Sequence, residues 1–182
     1  MRGERQLWLI AGNCTAPPTS EKNVKIIRVP KGTPSTGTSR RKYQYLHTKF
    51  YLWDLPYKRI AYYDLDIEVK KPVAKCAALC PAHADMCAVR DPVATWPVRS
   101  KSYFNAGFFV MTPSKAVATD LKRLGASHRT FAEQDTLNEY FNRGRTWYHL
   151  PKECNWLNYR ENHPSARSDA NVFAVHVGGS HL

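Results

Sequence analysis

No stretch of this chain comes near the roughly 20 consecutive apolar residues that a membrane helix needs. The early run Leu7-Trp8-Leu9-Ile10 follows basic residues but is too short for the core of a secretory signal. Nothing in the chain therefore addresses it anywhere. The cytoplasm is the default compartment, with a Golgi or secretory route open if a leader precedes this sequence. Internal repeats and low-complexity tracts are absent, which excludes solenoids and disordered tails. Carboxylates are scarce: 15 Asp and Glu stand against 27 Lys and Arg, for a net charge of +12. Such a surplus attracts phosphate in any form, whether nucleic acid, nucleotide or anionic membrane, and does not choose among them.

Paired Cys-x-x-Cys spacing is also missing, although there are five cysteines. Their odd number and the lack of a secretory signal argue against a disulfide framework. Cys76, Cys80, His83 and Cys87 recur at helical spacing. Four ligands along one straight helix cannot surround a tetrahedral ion, so the expectation is a short helix packed by small residues, without zinc.

What is present is enough for a core. Of 182 residues, 43% are hydrophobic and 12% aromatic, which suits a single globular domain spanning 1–182. Gln6 to Ala11 and Val24 to Val29 read as strands, with proline-containing loops at Asn13 to Lys22 and Lys31 to Ser39. Arg40 to Asp54 reads as a helix, with Tyr43, Leu46, Phe50 and Trp53 on one face and Pro56 as its stop. After the cysteine-bearing helix a loop is expected through Asp91-Pro92 to Trp96-Pro97, then a buried strand from Ser102 to Met111. Ser114 would cap a helix ended by Gly125, and Thr130 with Glu133 would form a capping box on a helix reaching Asn142. Trp147 to Leu150 and Val172 to Val177 read as strands, so the fold class is α/β, a mixed sheet flanked by helices.

The most informative segment is Ile60-Ala61-Tyr62-Tyr63-Asp64-Leu65-Asp66. An apolar strand ends in two carboxylates one residue apart, and such anions need a metal, a cation or water. If the strand breaks into a turn there, both can face one cleft and hold a hard divalent ion, which in turn grips a diphosphate. A solvated strand end explains most such pairs, so the company they keep matters. His176, at the end of an apolar strand, is a candidate third ligand. Gly107 within Phe104-Asn105-Ala106-Gly107 signals a close approach by a ligand or by backbone. Glu133-Gln134 sits at a helix start, and Lys49 lies among aromatics.

Taken in order, Lys49, Asp64-x-Asp66, Asn105-x-Gly107, Glu133-Gln134, Leu150-Pro151 with Asn155, and His176-x-x-Gly179 resemble the retaining glycosyltransferases of family 8, the glycogenin- and galactinol-synthase-like enzymes. The likeness runs from about residue 40 to the C-terminus. It is most specific in Thr48-Lys49-Phe50 through Asp66 and in Phe104 to Val110.

The resemblance implies a single α/β nucleotide-sugar domain of the A-type glycosyltransferases. Asp64, Asp66 and His176 would hold Mn²⁺, or Mg²⁺, against the diphosphate of a UDP-hexose. Lys49, Leu65, Asn105, Ala106, Gly107 and Gly179 would bind the donor, and Glu133 with Gln134 would be catalytic. The sugar would pass to an acceptor hydroxyl on a glycan, polyol or protein, and nucleic acid is not expected as a partner. Against that pattern the chain begins at the second strand and stops before a Lys-Pro-Trp element, so it is expected to be a piece lacking both ends. The competing readings are a catalytically inactive relative acting as a binding protein, a basic nucleic-acid-binding domain, and a metal-dependent nuclease or phosphatase using the same aspartates.

Overall fold

The computed structural model describes residues 6–11, 24–29, 46–91, 102–127, 133–143, 145, 147–157 and 171–177. The two proline-containing loops, Thr130 and Gly179 lie outside the described residues. In chain order the strands and α-helices are β1 (Gln6–Ala11), β2 (Val24–Val29), β3 (Ile60–Tyr63), β4 (Ile67–Val69), α1 (Ala74–Ala78), β5 (Met86–Arg90), β6 (Phe104–Met111), α2 (Lys115–Ser127), α3 (Glu133–Asn142), β7 (Trp147–Leu150), β8 (Trp156–Leu157) and β9 (Ala174–His176). Two 3-10 helices, Leu46–Asp54 and Lys152–Cys154, complete the set. Among the described residues no helix is long and apolar enough to cross a membrane. The chain divides into two compact units, Met1–Asp54 with Lys115–Thr136, and Leu55–Ser114 with Leu137–Leu182.

In the first unit β1 and β2 pair in parallel, Gln6 opposite Val24 through Ala11 opposite Val29, with the boundaries read from the sequence. The following segment is helical over its described part, and the helix is of the 3-10 type, Leu46–Asp54. His47, Phe50 and Trp53 are all buried, and their spacing of three matches the three residues per turn of that helix. This face packs on α2. There Gly125 does not end the helix but lies inside it, because a Cβ at 125 would sit 2.7 Å from Phe50 Cε2. The glycine is kept for close approach, at a cost in helix propensity.

The second unit holds two sheets. One has the order β3-β6-β5-β7, with β6 antiparallel to both neighbours and β5 parallel to β7. All eight residues of β6 are buried, which is why its sequence, Asn105 apart, is an apolar run rather than an alternating one. The other sheet has the order β4-β9-β8. β5 stands where the end of the cysteine-bearing helix was expected, just before the expected loop. Its Met86-Cys87-Ala88-Val89 stretch is buried on both faces and so lacks the alternation that marks a half-exposed strand.

The cysteines overturn both expectations placed on them. α1 stops at Ala78, so Cys80 is beyond it, and Cys87 lies in β5. Instead of one helical face there are two disulfides, Cys76–Cys154 and Cys80–Cys87, each with a Cα–Cα distance of 5.8 Å. Around them Phe108, Val110, Val89, Leu150 and Ala174 form the buried core of this unit.

Candidate functional site

β3 and β4 belong to different sheets, and the residues between them are Asp64, Leu65 and Asp66. The carboxylates sit where the chain leaves one sheet and enters the other. Tyr63 pairs with Phe108, and the ladder continues one step as Asp64 N–H donates to Gly107 C=O at 2.8 Å. The chain then turns, with Ile67 N–H donating to Asp64 C=O at 3.2 Å. In the second sheet Ile67 lies opposite His176, and Val177 N–H donates to Asp66 C=O at 3.0 Å. The turn thus takes two acids off the edge of the first sheet beside Gly107 of β6, and β9 delivers a histidine to the same spot.

One ligand atom each from Asp64, Asp66 and His176 lie within 4.8 Å of one another. His176 Nε2 is 3.3 Å from Asp66 Oδ2, and Tyr62 Oη donates to Asp64 Oδ1 at 2.6 Å. His176 is buried, the two acids are half-buried, and Leu65 between them is fully exposed. Two carboxylate oxygens and one imidazole make a donor set suited to a divalent metal ion, so these residues fit the kind of group expected of them. Asp64 Oδ1 accepts from a phenol and Asp66 Oδ2 lies beside an imidazole nitrogen, so each carboxylate has a group that helps to hold it in place.

Asn105, Ala106 and Gly107 lie beside this cluster on β6, where the β5–β6 register breaks. Ala88 pairs with Phe109, but Arg90 pairs with Phe104, so residues 105–108 face a single residue of β5. The surplus backbone is held by side chains. Asn105 Oδ1 accepts from Gly107 N–H and from Asn155 Nδ2, both at 2.9 Å, and Asn105 Nδ2 reaches Asp91 Oδ2 at 3.4 Å. Upstream, Asn138 of α3 clasps Phe104, accepting from its N–H at 2.8 Å and donating to its C=O at 2.9 Å. Gly107 is required by contact: a Cβ there would collide with the His176 ring, 2.5 Å from Nδ1.

Lys49, Glu133 and Gln134 belong to the first unit. Lys49 Nζ meets Glu133 Oε1 at 2.5 Å, with both side chains buried. The Glu133 carboxylate is engaged by Lys49 through Oε1, while the capping box with Thr130 falls outside the described residues; Gln134 beside it is half-buried. Sequence reasoning passed over Asn138 and Asp91 and gave Asn155 no role. The available signal was the burial of amides among apolar neighbours, in Thr136-Leu137-Asn138 and Cys154-Asn155-Trp156.

The glycosyl transferase family 8 model matches residues 8–178. The chain belongs to that family, and its fold is that of the A-type glycosyltransferases. Among solved structures, glycosyltransferase GlyE of Streptococcus pneumoniae TIGR4 is similar at 15% identity and a TM-score of 0.60, over 97% of this chain and 56% of that one. Galactosyltransferase LgtC, solved with donor and acceptor sugar analogues, is similar at 17% identity and a TM-score of 0.59, over 87% of this chain and 68% of that one. The bifunctional glycosyltransferase WbbM is similar at 18% identity and a TM-score of 0.63, over 90% of this chain and 37% of that one. The chain spans just over half the length of GlyE. No curated protein sequence matches it.

Proposed function

We propose that this chain carries the donor site of a metal-dependent, retaining glycosyltransferase that moves a hexose from a UDP-sugar to an acceptor hydroxyl. The observation that carries the reading is the convergence of Asp64, Asp66 and His176 at the junction of two sheets, within 4.8 Å. Mn²⁺ or Mg²⁺ held there supplies positive charge to a diphosphate whose negative charge grows as the sugar departs.

The chain's own residues supply the rest. Tyr62 and the Gly107 carbonyl fix the Asp64 side chain and main chain, and the β4–β9 pairing fixes Asp66 against His176. Asn105, Ala106 and Gly107 are assigned to the sugar. The surplus of 12 positive charges favours approach of a phosphorylated donor. Lys49, Glu133 and Gln134 keep the roles implied by the family pattern, phosphate or sugar contact for Lys49 and support of an oxocarbenium-like sugar for the other two. Gln134 is a poor nucleophile, which favours attack by the acceptor on the face the leaving group departs from.

The test is calorimetric titration of UDP with Mn²⁺, repeated with EDTA and with Asp64→Asn/Asp66→Asn. Micromolar binding that needs both the metal and the aspartates is expected. Equal binding by the folded variant, or equal binding in EDTA, rejects the site.

A further inference from the structure

Two of the bonds that shape the candidate site begin at one corner of the second unit, Glu153-Cys154-Asn155. The first runs through side chains. Asn155 Nδ2 donates to Asn105 Oδ1, which also receives Gly107 N–H, and the Gly107 carbonyl receives Asp64 N–H at 2.8 Å. The second runs through main chain. Phe173 N–H donates to Glu153 C=O at 2.8 Å, immediately before β9 and three residues before His176. One route ends on the main chain of Asp64 and the other at the start of the strand that carries His176.

Between the two starting residues stands Cys154, bonded to Cys76 with a Cα–Cα distance of 5.8 Å. Both cysteines are fully buried. The corner itself is a single 3-10 turn, Lys152–Cys154, and its cap hydrogen bonds are all local. A helix that short has no stability of its own. Across the bond, Cys76 belongs to the five-residue α1, whose surroundings are the core of Cys87, Phe108 and Val110. The disulfide therefore ties a weak corner to a packed core at the point where both routes begin.

From this we infer that Cys76–Cys154 is a positioning element of the metal site: it sets the affinity for the divalent ion by holding the Glu153–Asn155 corner, and through it Asp64 and His176, in register. The inference rests on the metal-site reading proposed above. The second disulfide is a natural control. Cys80–Cys87 closes a span of only seven residues, from just beyond α1 to the middle of β5, and neither cysteine neighbours Asn155, Asn105 or β9 in sequence.

The experiment measures Mn²⁺ binding to the whole oxidised chain by electron paramagnetic resonance, which separates free from bound ion, alongside thermal unfolding. Cys76→Ser/Cys154→Ser is expected to weaken Mn²⁺ at least about tenfold, the scale seen when groups that orient metal ligands are removed. Cys80→Ser/Cys87→Ser is expected to stay within twofold of the parent, although both pairs lose thermal stability. Equal losses in the two pairs, or parent-like Mn²⁺ affinity in a folded Cys76→Ser/Cys154→Ser chain, overturn the inference. Asn155→Ala keeps both disulfides and breaks the side-chain route; unchanged Mn²⁺ affinity there overturns it as well, even if the serine pair does not fold. A parent chain that binds no Mn²⁺ removes the metal-site reading itself.

Discussion

Gly107 lies against the imidazole of His176, so closely that a Cβ at position 107 would overlap the ring and press on Asn105 Oδ1 at 2.9 Å. The neighbours cannot all retreat, since His176 is held in β9 and Asn105 by Asn155. Gly107→Ala should therefore turn His176 out of the cluster. We expect Mn²⁺ affinity to fall about tenfold or more, the cost of disturbing an orienting group. A Gly107→Ala protein that folds and binds Mn²⁺ like the parent would refute this contact as a determinant.

The Lys49–Glu133 pair makes a different prediction, about stability. Both side chains are buried, at 8% and 6% exposure, so removing one leaves an uncompensated charge out of water. Breaking such a pair costs about 3–5 kcal/mol. Lys49→Met should lower urea stability by that order, and adding Glu133→Leu should recover most of it. A double variant as unstable as the single would mean that the loss came from packing rather than from charge.

At Gly125 two effects oppose each other. Alanine is worth about 1 kcal/mol over glycine within a helix. Its methyl would lie 2.7 Å from Phe50 Cε2, and Phe50 is itself buried. Overpacking of this kind costs about 1–3 kcal/mol, so the clash outweighs the propensity and Gly125→Ala should destabilise the protein. A rise in the urea midpoint would show that Phe50 can move aside.

Four of the five cysteines should resist alkylation until a reductant is added. In unfolded, unreduced protein, mass spectrometry is expected to find Cys76, Cys80, Cys87 and Cys154 unlabelled, with 76–154 and 80–87 peptides linked. Labelling of all four before reduction would show that the bonds do not form.

What the sequence made legible follows a physical line. β1, β2, β6 and β7 were read with nearly correct limits because each is a short apolar or β-branched run bounded by turn residues. The Asp64–Asp66 break was readable because charge cannot follow an apolar strand into a core. β5 was lost because its buried cysteine drew attention to helical spacing, and four residues fit either period. The disulfides were lost because the count was odd, whereas pairing depends on proximity and not on parity. The clasp of Asn138 on Phe104 joins residues 34 apart, and that of Asn155 on Asn105 joins residues 50 apart. No local pattern encodes such distances, so the residues that hold the site were harder to see than those that form it. Gly125 was read as a stop because glycine's backbone preference is visible in sequence, while the ring packed over it is not.

The bond between Cys76 and Cys154 joins residues 78 apart in sequence and encloses α2, α3 and the whole of β6. Among the described residues the disulfides make one large ring with the small Cys80–Cys87 ring inside it. A protease that cuts once inside the ring opens it without releasing a fragment, so a nicked chain runs at full mass on a non-reducing gel and falls into two pieces only in reductant. The core strands need not part when the loops between them are cut, and the cluster of Asp64, Asp66 and His176 stays on one covalent assembly throughout.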